Sequence, residues 1–159
     1  MTESPSEPAP GIRLALYQPD IAPNVGAVIR LGACMAVPVD VISPCGFAFS
    51  LHAVRRQVMD YGDVAEVVHH DSWDRFRADR PAGRLIAMTT KGATPLWDFE
   101  FRRGDTILMG QESAGLPDAV HEAADARLVI PMARGTRSLN IAIAAGMAVA
   151  EAVRQLRER

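Results

Sequence analysis

Lysine is almost missing from this chain of 159 residues: of its 17 basic side chains Lys91 alone is a lysine, and the rest are arginines. Arginine suits bidentate contact with phosphate or carboxylate better than lysine does. Cysteine is scarce too. Cys34 and Cys45 have the spacing of neither a metal site nor a redox pair, which excludes a disulfide-stapled scaffold and reads as two reduced thiols of a cytoplasmic protein. No apolar run approaches the roughly 20 residues that cross a bilayer, since the longest covers residues 141–150. The amino-terminus lacks the basic-then-apolar pattern of a secretory signal. Net charge is −2, and with Glu3 and Glu7 set aside the acidic residues only match the 17 basic ones, so no global basic footprint announces nucleic acid. Residues 1–11, proline-rich and acidic, read as a disordered leader, and residues 12–159 as one domain.

What is present is an alternation. Short apolar runs at residues 12–17, 39–42, 64–69, 85–89, 106–109 and 128–130 read as strands, and residues 25–36, 51–61, 72–79, 117–123 and 139–157 as helices. That order predicts an α/β fold, a mostly parallel sheet with helices on both faces. Ligands of such sheets bind at the carboxyl ends of the strands. Attention therefore falls on two loops, Gly110-Gln-Glu-Ser-Ala-Gly-Leu-Pro117 and Pro131-Met-Ala-Arg-Gly-Thr-Arg-Ser-Leu-Asn140, either of which can turn backbone N–H and C=O groups toward a flat polar ligand. The last helix is smooth nearly all round, with Ala142, Ala144, Ala145, Gly146, Ala148, Ala150 and Ala152. Such a helix is buried in its own core or against a partner chain.

Several familiar motifs are approached and missed. Gly110 to Gly115 has the frame of a phosphate-binding loop, but Leu116-Pro117 stands where the lysine and hydroxyl belong. Tyr17 is followed by Gln-Pro-Asp rather than by a dinucleotide-binding glycine pattern. Ser113 is one residue out of register with a hydrolase elbow, and the later histidine, His121, falls in the next helix. His69 and His70 point to opposite faces of a strand, which prevents easy chelation of one ion and leaves them as solvated histidines at a strand end; no metal is expected. Glu112, just past a strand, is a site group or else caps the following helix or pairs with an arginine. Arg30 within an apolar helical stretch is a site cation or a snorkelling side chain.

Three blocks then fall in order: Pro23-Asn24-Val-Gly26-Ala-Val-Ile-Arg30; Leu108-Met-Gly110-Gln-Glu112-Ser-Ala-Gly115-Leu-Pro117; and Ile130-Pro-Met132 with Ser138-Leu139-Asn140. Over nearly all of residues 12–159 the chain resembles the SPOUT superfamily of RNA methyltransferases. Within it the chain is most similar to the small single-domain tRNA 2′-O-methyltransferases of the wobble nucleotide, through Leu16-Tyr17-Gln18-Pro19, Pro44-Cys-Gly46-Phe47 and Thr89-Thr-Lys91-Gly92. The resemblance implies a carboxyl-terminal trefoil knot, which default topology rules would never suggest. It also implies S-adenosylmethionine as cofactor, a homodimer, and the anticodon loop of a tRNA, a leucine isoacceptor, as substrate.

Carried over by position, the cofactor residues are Met88, Thr89, Gly110, Glu112, Gly115, Ile130, Met132, Ser138, Leu139 and Asn140. Arg30 takes the catalytic role, which chemistry narrows to holding the target phosphate and stabilising charge on the 2′-oxygen, because a guanidinium does not give up its proton. Asn24, Arg55, Arg56, Arg134 and Arg137 are the expected RNA contacts. Ala142 departs from the polar residue that many members of the resembled family carry there, and Ala150 from the bulkier residue that some of them have. The same fold acting on ribosomal RNA, or a non-catalytic module that keeps the pocket, are the other readings.

Overall fold

The computed structural model describes residues 9–57, 65–91 and 94–157, the side chains of Arg55 and Gln57 excepted. Among the described residues seven strands form one sheet: β1 (Arg13–Tyr17), β2 (Val39–Ile42), β3 (Val67–His70), β4 (Leu85–Met88), β5 (Thr94–Pro95), β6 (Thr106–Met109) and β7 (Ala126–Val129). Their order across the sheet is β3-β2-β1-β6-β4-β7-β5, and every pairing is parallel. Parallel strands covered on both faces read as nearly unbroken apolar runs; β2, β4 and β6 are buried at all four positions. The helices are α1 (Ala22–Met35), α2 (Leu51–Gln57), α3 (Trp73–Asp79), α4 (Asp118–Ala123) and α5 (Ile141–Arg157). The expected α/β sheet with helices on both faces is therefore what the chain builds.

Alternation along β1 divides the core. Leu14 and Leu16 face α1 and α5, whose Val25, Val28, Ile29, Ala145, Ala148 and Val149 fill that side. Ala15 and Tyr17 face the other, with Phe76 of α3 and Val120 of α4. Gly32 lets α1 approach the sheet closely: a Cβ there would lie 2.5 Å from the Val37 carbonyl oxygen and 2.7 Å from Val39 Cγ2.

Several boundaries differ from those expected, each for a physical reason. α1 begins three residues early because Pro23 falls in its first turn, where no backbone N–H is required. β3 runs to His70, held in register with β2 from Val39↔Val67 to Ile42↔His70. His70 is not a solvated strand-end histidine. It is 6% exposed, and its Nε2 lies 2.8 Å from Asp40 Oδ1, while Arg13 donates to the same carboxylate at 2.9 and 3.1 Å. His69 points the opposite way, with its Nε2 2.6 Å from Ser43 Oγ.

Between the strands expected at 85–89 and 106–109 the chain adds β5, whose proline is tolerated because the strand lies at the sheet edge, followed by a 3-10 turn, Leu96–Asp98. β7 starts and ends earlier than expected, and α5 starts at Ile141, leaving Asn140 as its cap. The end of the helix expected at 51–61 and the start of the strand expected at 64 lie outside the described residues. Pro10 and Gly11, counted with the leader, pack on the fold: the Pro10 carbonyl accepts from Arg103, and the Gly11 carbonyl from the Gly104 N–H. No helix among the described residues is long and apolar enough to cross a membrane.

Candidate active site

At the carboxyl ends of β4, β6 and β7 a cavity of about 330 Å³ opens. That volume is within the range of small-molecule sites. Most of its lining comes from three segments, Met88–Thr90 at the end of β4, the loop after β6, and the loop between β7 and α5, and Ile21 and Asn24 at the start of α1 complete it. All ten residues expected at the cofactor line this one cavity: Met88, Thr89, Gly110, Glu112, Gly115, Ile130, Met132, Ser138, Leu139 and Asn140. Gly92, the last residue of the block Thr89-Thr-Lys91-Gly92, lies outside the described residues.

The loop after β6 is a closed turn. The N–H groups of Gln111 and Gly115 each donate to the other's carbonyl, at 3.0 and 2.9 Å. Gly115 has a φ of +66°, in the left-handed region where a side chain is strained. Gly110 is required by the turn itself: a Cβ there would sit 2.7 Å from the Gly115 carbonyl carbon and 3.0 Å from Leu116 N. Behind the first segment, His121 of α4 is buried, with its Nε2 3.0 Å from Thr89 Oγ1.

A polar network joins this wall to the start of α1. Glu112 accepts from the Asp20 N–H at 3.1 Å and from Asn24 Nδ2 at 3.4 Å, and its own N–H donates to Asp20 at 3.2 Å. It caps nothing: α4 has Pro117 at its N-cap and no side-chain cap bond. Burial, and then the Asp20 carboxylate beside it, push the Glu112 carboxyl above its ordinary value. Asp20 moves down, through its hydrogen bonds with Glu112 and Ser113. Asn140 donates to Asn24 Oδ1 at 3.0 Å and accepts the N–H groups of Ala142 and Ile143, capping α5. Asn24, expected at RNA, thus lines the cavity as well.

The arginines are more dispersed. Arg30 is exposed on α1 and is not among the residues lining the cavity. Arg134 and Arg137 are exposed on the loop that forms one wall, Arg56 is exposed on α2, and Arg55 belongs to the same helix with its side chain outside the description. Gln111 and Leu116, within the expected Gly110–Pro117 loop, line the cavity too, and Ile21, Met109, Val129, Ile141 and Ala144 do so unforeseen. For Ala144 a signal existed, since it lies one helical turn after Asn140. Ile21 is brought in only by the tertiary fold. Among the described residues no group of three or more His, Cys, Asp or Glu is placed to hold a metal ion.

A parallel α/β sheet with a cavity built from its last three central loops defines a class, and a family model fits it: the chain belongs to the SpoU rRNA methylase family, matched over residues 11–150. Among its relatives is a protein of Beijerinckia indica subsp. indica named tRNA (cytidine(34)-2'-O)-methyltransferase, 49% identical over 145 residues that cover 90% of this chain and 91% of the relative. A solved structure described as giving insights into the 2-OH methylation of C/U34 on tRNA superposes with a TM-score of 0.86 at 40% identity, covering 94% of this chain and 99% of its own. An AdoMet-bound rRNA methyltransferase from Sinorhizobium meliloti has a TM-score of 0.78 at 29% identity, over 91% of this chain and 56% of its own.

Proposed function

We propose that this chain methylates the ribose 2′-OH of the wobble nucleotide, cytidine or uridine, in the anticodon loop of a tRNA, with S-adenosylmethionine as methyl donor. The observation that carries this reading is the cavity at the ends of β4, β6 and β7 together with the hydrogen-bonded chain that ties it to Asn24 of α1. The names of the similar proteins point the same way.

The lining fits the cofactor. Met88, Met109, Leu116 and Ile130 give an apolar floor for a flat ring, while Thr89, Glu112 and Asn140 give polar groups at its edge. S-adenosylmethionine supplies a methyl group on a sulfonium, already a strong electrophile. The protein has to place the 2′-OH in line and ease loss of its proton. Arg30 holds the target phosphate and stabilises negative charge developing on the 2′-oxygen. Arg55, Arg56, Arg134 and Arg137 meet RNA phosphates; an unpaired loop suits a single small domain, because its bases can be splayed out.

The knot belongs to this reading. It is supported by a strand order in which β6 separates β1 from β4, and β7 separates β4 from β5. So does a homodimer through α5: Ile143 is 57% exposed there, and a Cβ at Gly146 would meet nothing within 4 Å, leaving room for a second chain. Residues 12–159 act as one domain, in the cytoplasm, on a leucine isoacceptor. The test is mass spectrometry of tRNA nucleosides from a strain lacking the gene. Loss of the wobble 2′-O-methyl group and its return with the gene are expected; an unchanged wobble nucleotide contradicts the proposal. The family's description favours ribosomal RNA as the second reading, and loss of a ribosomal 2′-O-methyl group in the same strain would establish it.

A further inference from the structure

Asp20 does not line the cavity, yet three loops meet on it. Its N–H donates to Glu112 Oε2 and its Oδ1 accepts the Glu112 N–H, a reciprocal pair between residues 92 positions apart. Its other oxygen accepts the Ser113 hydroxyl. The neighbouring residue pair is tied in parallel, with Gln111 Nε2 donating to the Gln18 carbonyl at 3.0 Å. From the third side comes the block Pro44-Cys45-Gly46-Phe47. The Gly46 N–H donates to the Pro19 carbonyl at 2.9 Å, and a Cβ on Gly46 would lie 2.7 Å from Asp20 Cβ and 2.8 Å from its Cα. Glycine at position 46 is thus what lets Asp20 sit where it does.

We propose that Asp20 is a positioning residue for the methyl transfer: it seats the Gly110–Gly115 turn, through Glu112, on the loop that starts α1. The cofactor wall and the helix carrying Asn24 and Arg30 then close as one unit. A ligand pressing on Glu112 is felt at Asn24, and through Asn24 at Asn140 and the first turn of α5. The same clasp places two carboxyl groups side by side at the edge of the cavity. This inference rests on reading the cavity as the cofactor site, and it deepens that reading by naming what holds the wall in place.

The test combines binding with a titration that needs no cofactor. Affinity for S-adenosylhomocysteine is measured by calorimetry on the whole chain, and the Glu112 side-chain carboxyl is followed by carbon-13 NMR against pH. Asp20→Ala should weaken binding by about tenfold or more, the loss expected when hydrogen bonds to a charged group are removed. Gly46→Ala, a substitution outside the cavity, should weaken binding similarly by displacing Asp20. The isosteric Asp20→Asn should lower the titration midpoint of Glu112, because the carboxylate that helps raise it is gone, yet keep more affinity than Asp20→Ala, because its amide oxygen still accepts the Glu112 N–H. Binding within twofold of wild type in both Asp20→Ala and Gly46→Ala overturns the inference, as does an unmoved Glu112 midpoint in Asp20→Asn. Wild-type protein that ignores S-adenosylhomocysteine while the midpoint still falls would sink the cofactor reading and leave the clasp standing.

Discussion

Two sets of carboxylates in this molecule are treated in opposite ways. Asp40 and Asp105 are 1% exposed, and each is gripped by an arginine, Arg13 on Asp40 and Arg84 on both oxygens of Asp105 at 2.9 and 2.7 Å. Asp20 and Glu112, at the cavity, have no arginine within ion-pair distance among the described residues and are left against each other. Neutralising a buried charge serves the fold, since an unpaired one is expensive. Leaving two carboxyl groups adjacent perturbs both, which is the arrangement expected of a working site. The two sets should therefore respond to mutation in different observables.

The largest effect is expected at the closed set. Asp40→Ala strips Arg13 and His70 of their shared partner and should cost about 3–5 kcal/mol in urea unfolding, while the protein that remains folded binds cofactor normally. A loss of binding without a loss of stability would erase the contrast. Arg30→Ala should do the reverse. Methyl transfer should fall by roughly two orders of magnitude, as for loss of one charge-stabilising donor, with thermal stability and S-adenosylhomocysteine affinity near wild type. An Arg30→Ala protein that unfolds would make Arg30 a structural snorkelling residue instead.

Gly110→Ala forces a Cβ into the backbone of Gly115. It should weaken cofactor binding by at least about tenfold, 1.4 kcal/mol, by opening the turn rather than by touching the ligand. Unchanged affinity would place the cofactor elsewhere. Replacing Arg134 and Arg137 together by alanine should flatten the salt dependence of tRNA binding, by about one unit of slope for each phosphate that is no longer neutralised. Filter binding at several salt concentrations reads that slope directly.

The smallest effect has the most telling sign. Glu112 has a raised value in the folded chain, so its contribution to stability is present below the unfolded glutamate range and is lost as pH rises through the raised value. Asp20, with a lowered value, contributes above the unfolded aspartate range and loses that contribution as pH falls through the lowered one. Glu112→Gln should accordingly be slightly more stable than wild type at neutral pH, yet impaired in methyl transfer. A clear destabilisation at neutral pH would show that Glu112 belongs with Asp40 after all.

How far the sequence could be read follows the same division. β2 and β6 match the expected boundaries residue for residue, because each is a compact apolar run with a sharp end. Glycine and proline mark the two long loops of the cavity in the sequence, while the ten lining residues themselves come from the resemblance, carried over by position. β3 ends one residue later than the pattern suggests because His70 is polar by type and buried by partner, a fact that depends on Asp40 thirty residues away. β5 is two residues long and contains a proline, so it carries no periodicity at all. Asp20 carries no signal in the sequence for a related reason: contacts between loops 92 positions apart leave no local pattern, and only the folded sheet brings them together.

The central claim, methyl transfer to the wobble ribose, is tested most directly by following tritium from labelled S-adenosylmethionine into full-length tRNA whose wobble ribose is either normal or 2′-deoxy. The account predicts incorporation into the normal tRNA and none above background into the deoxy form. Equal incorporation into both would mean that the methyl group goes to another atom.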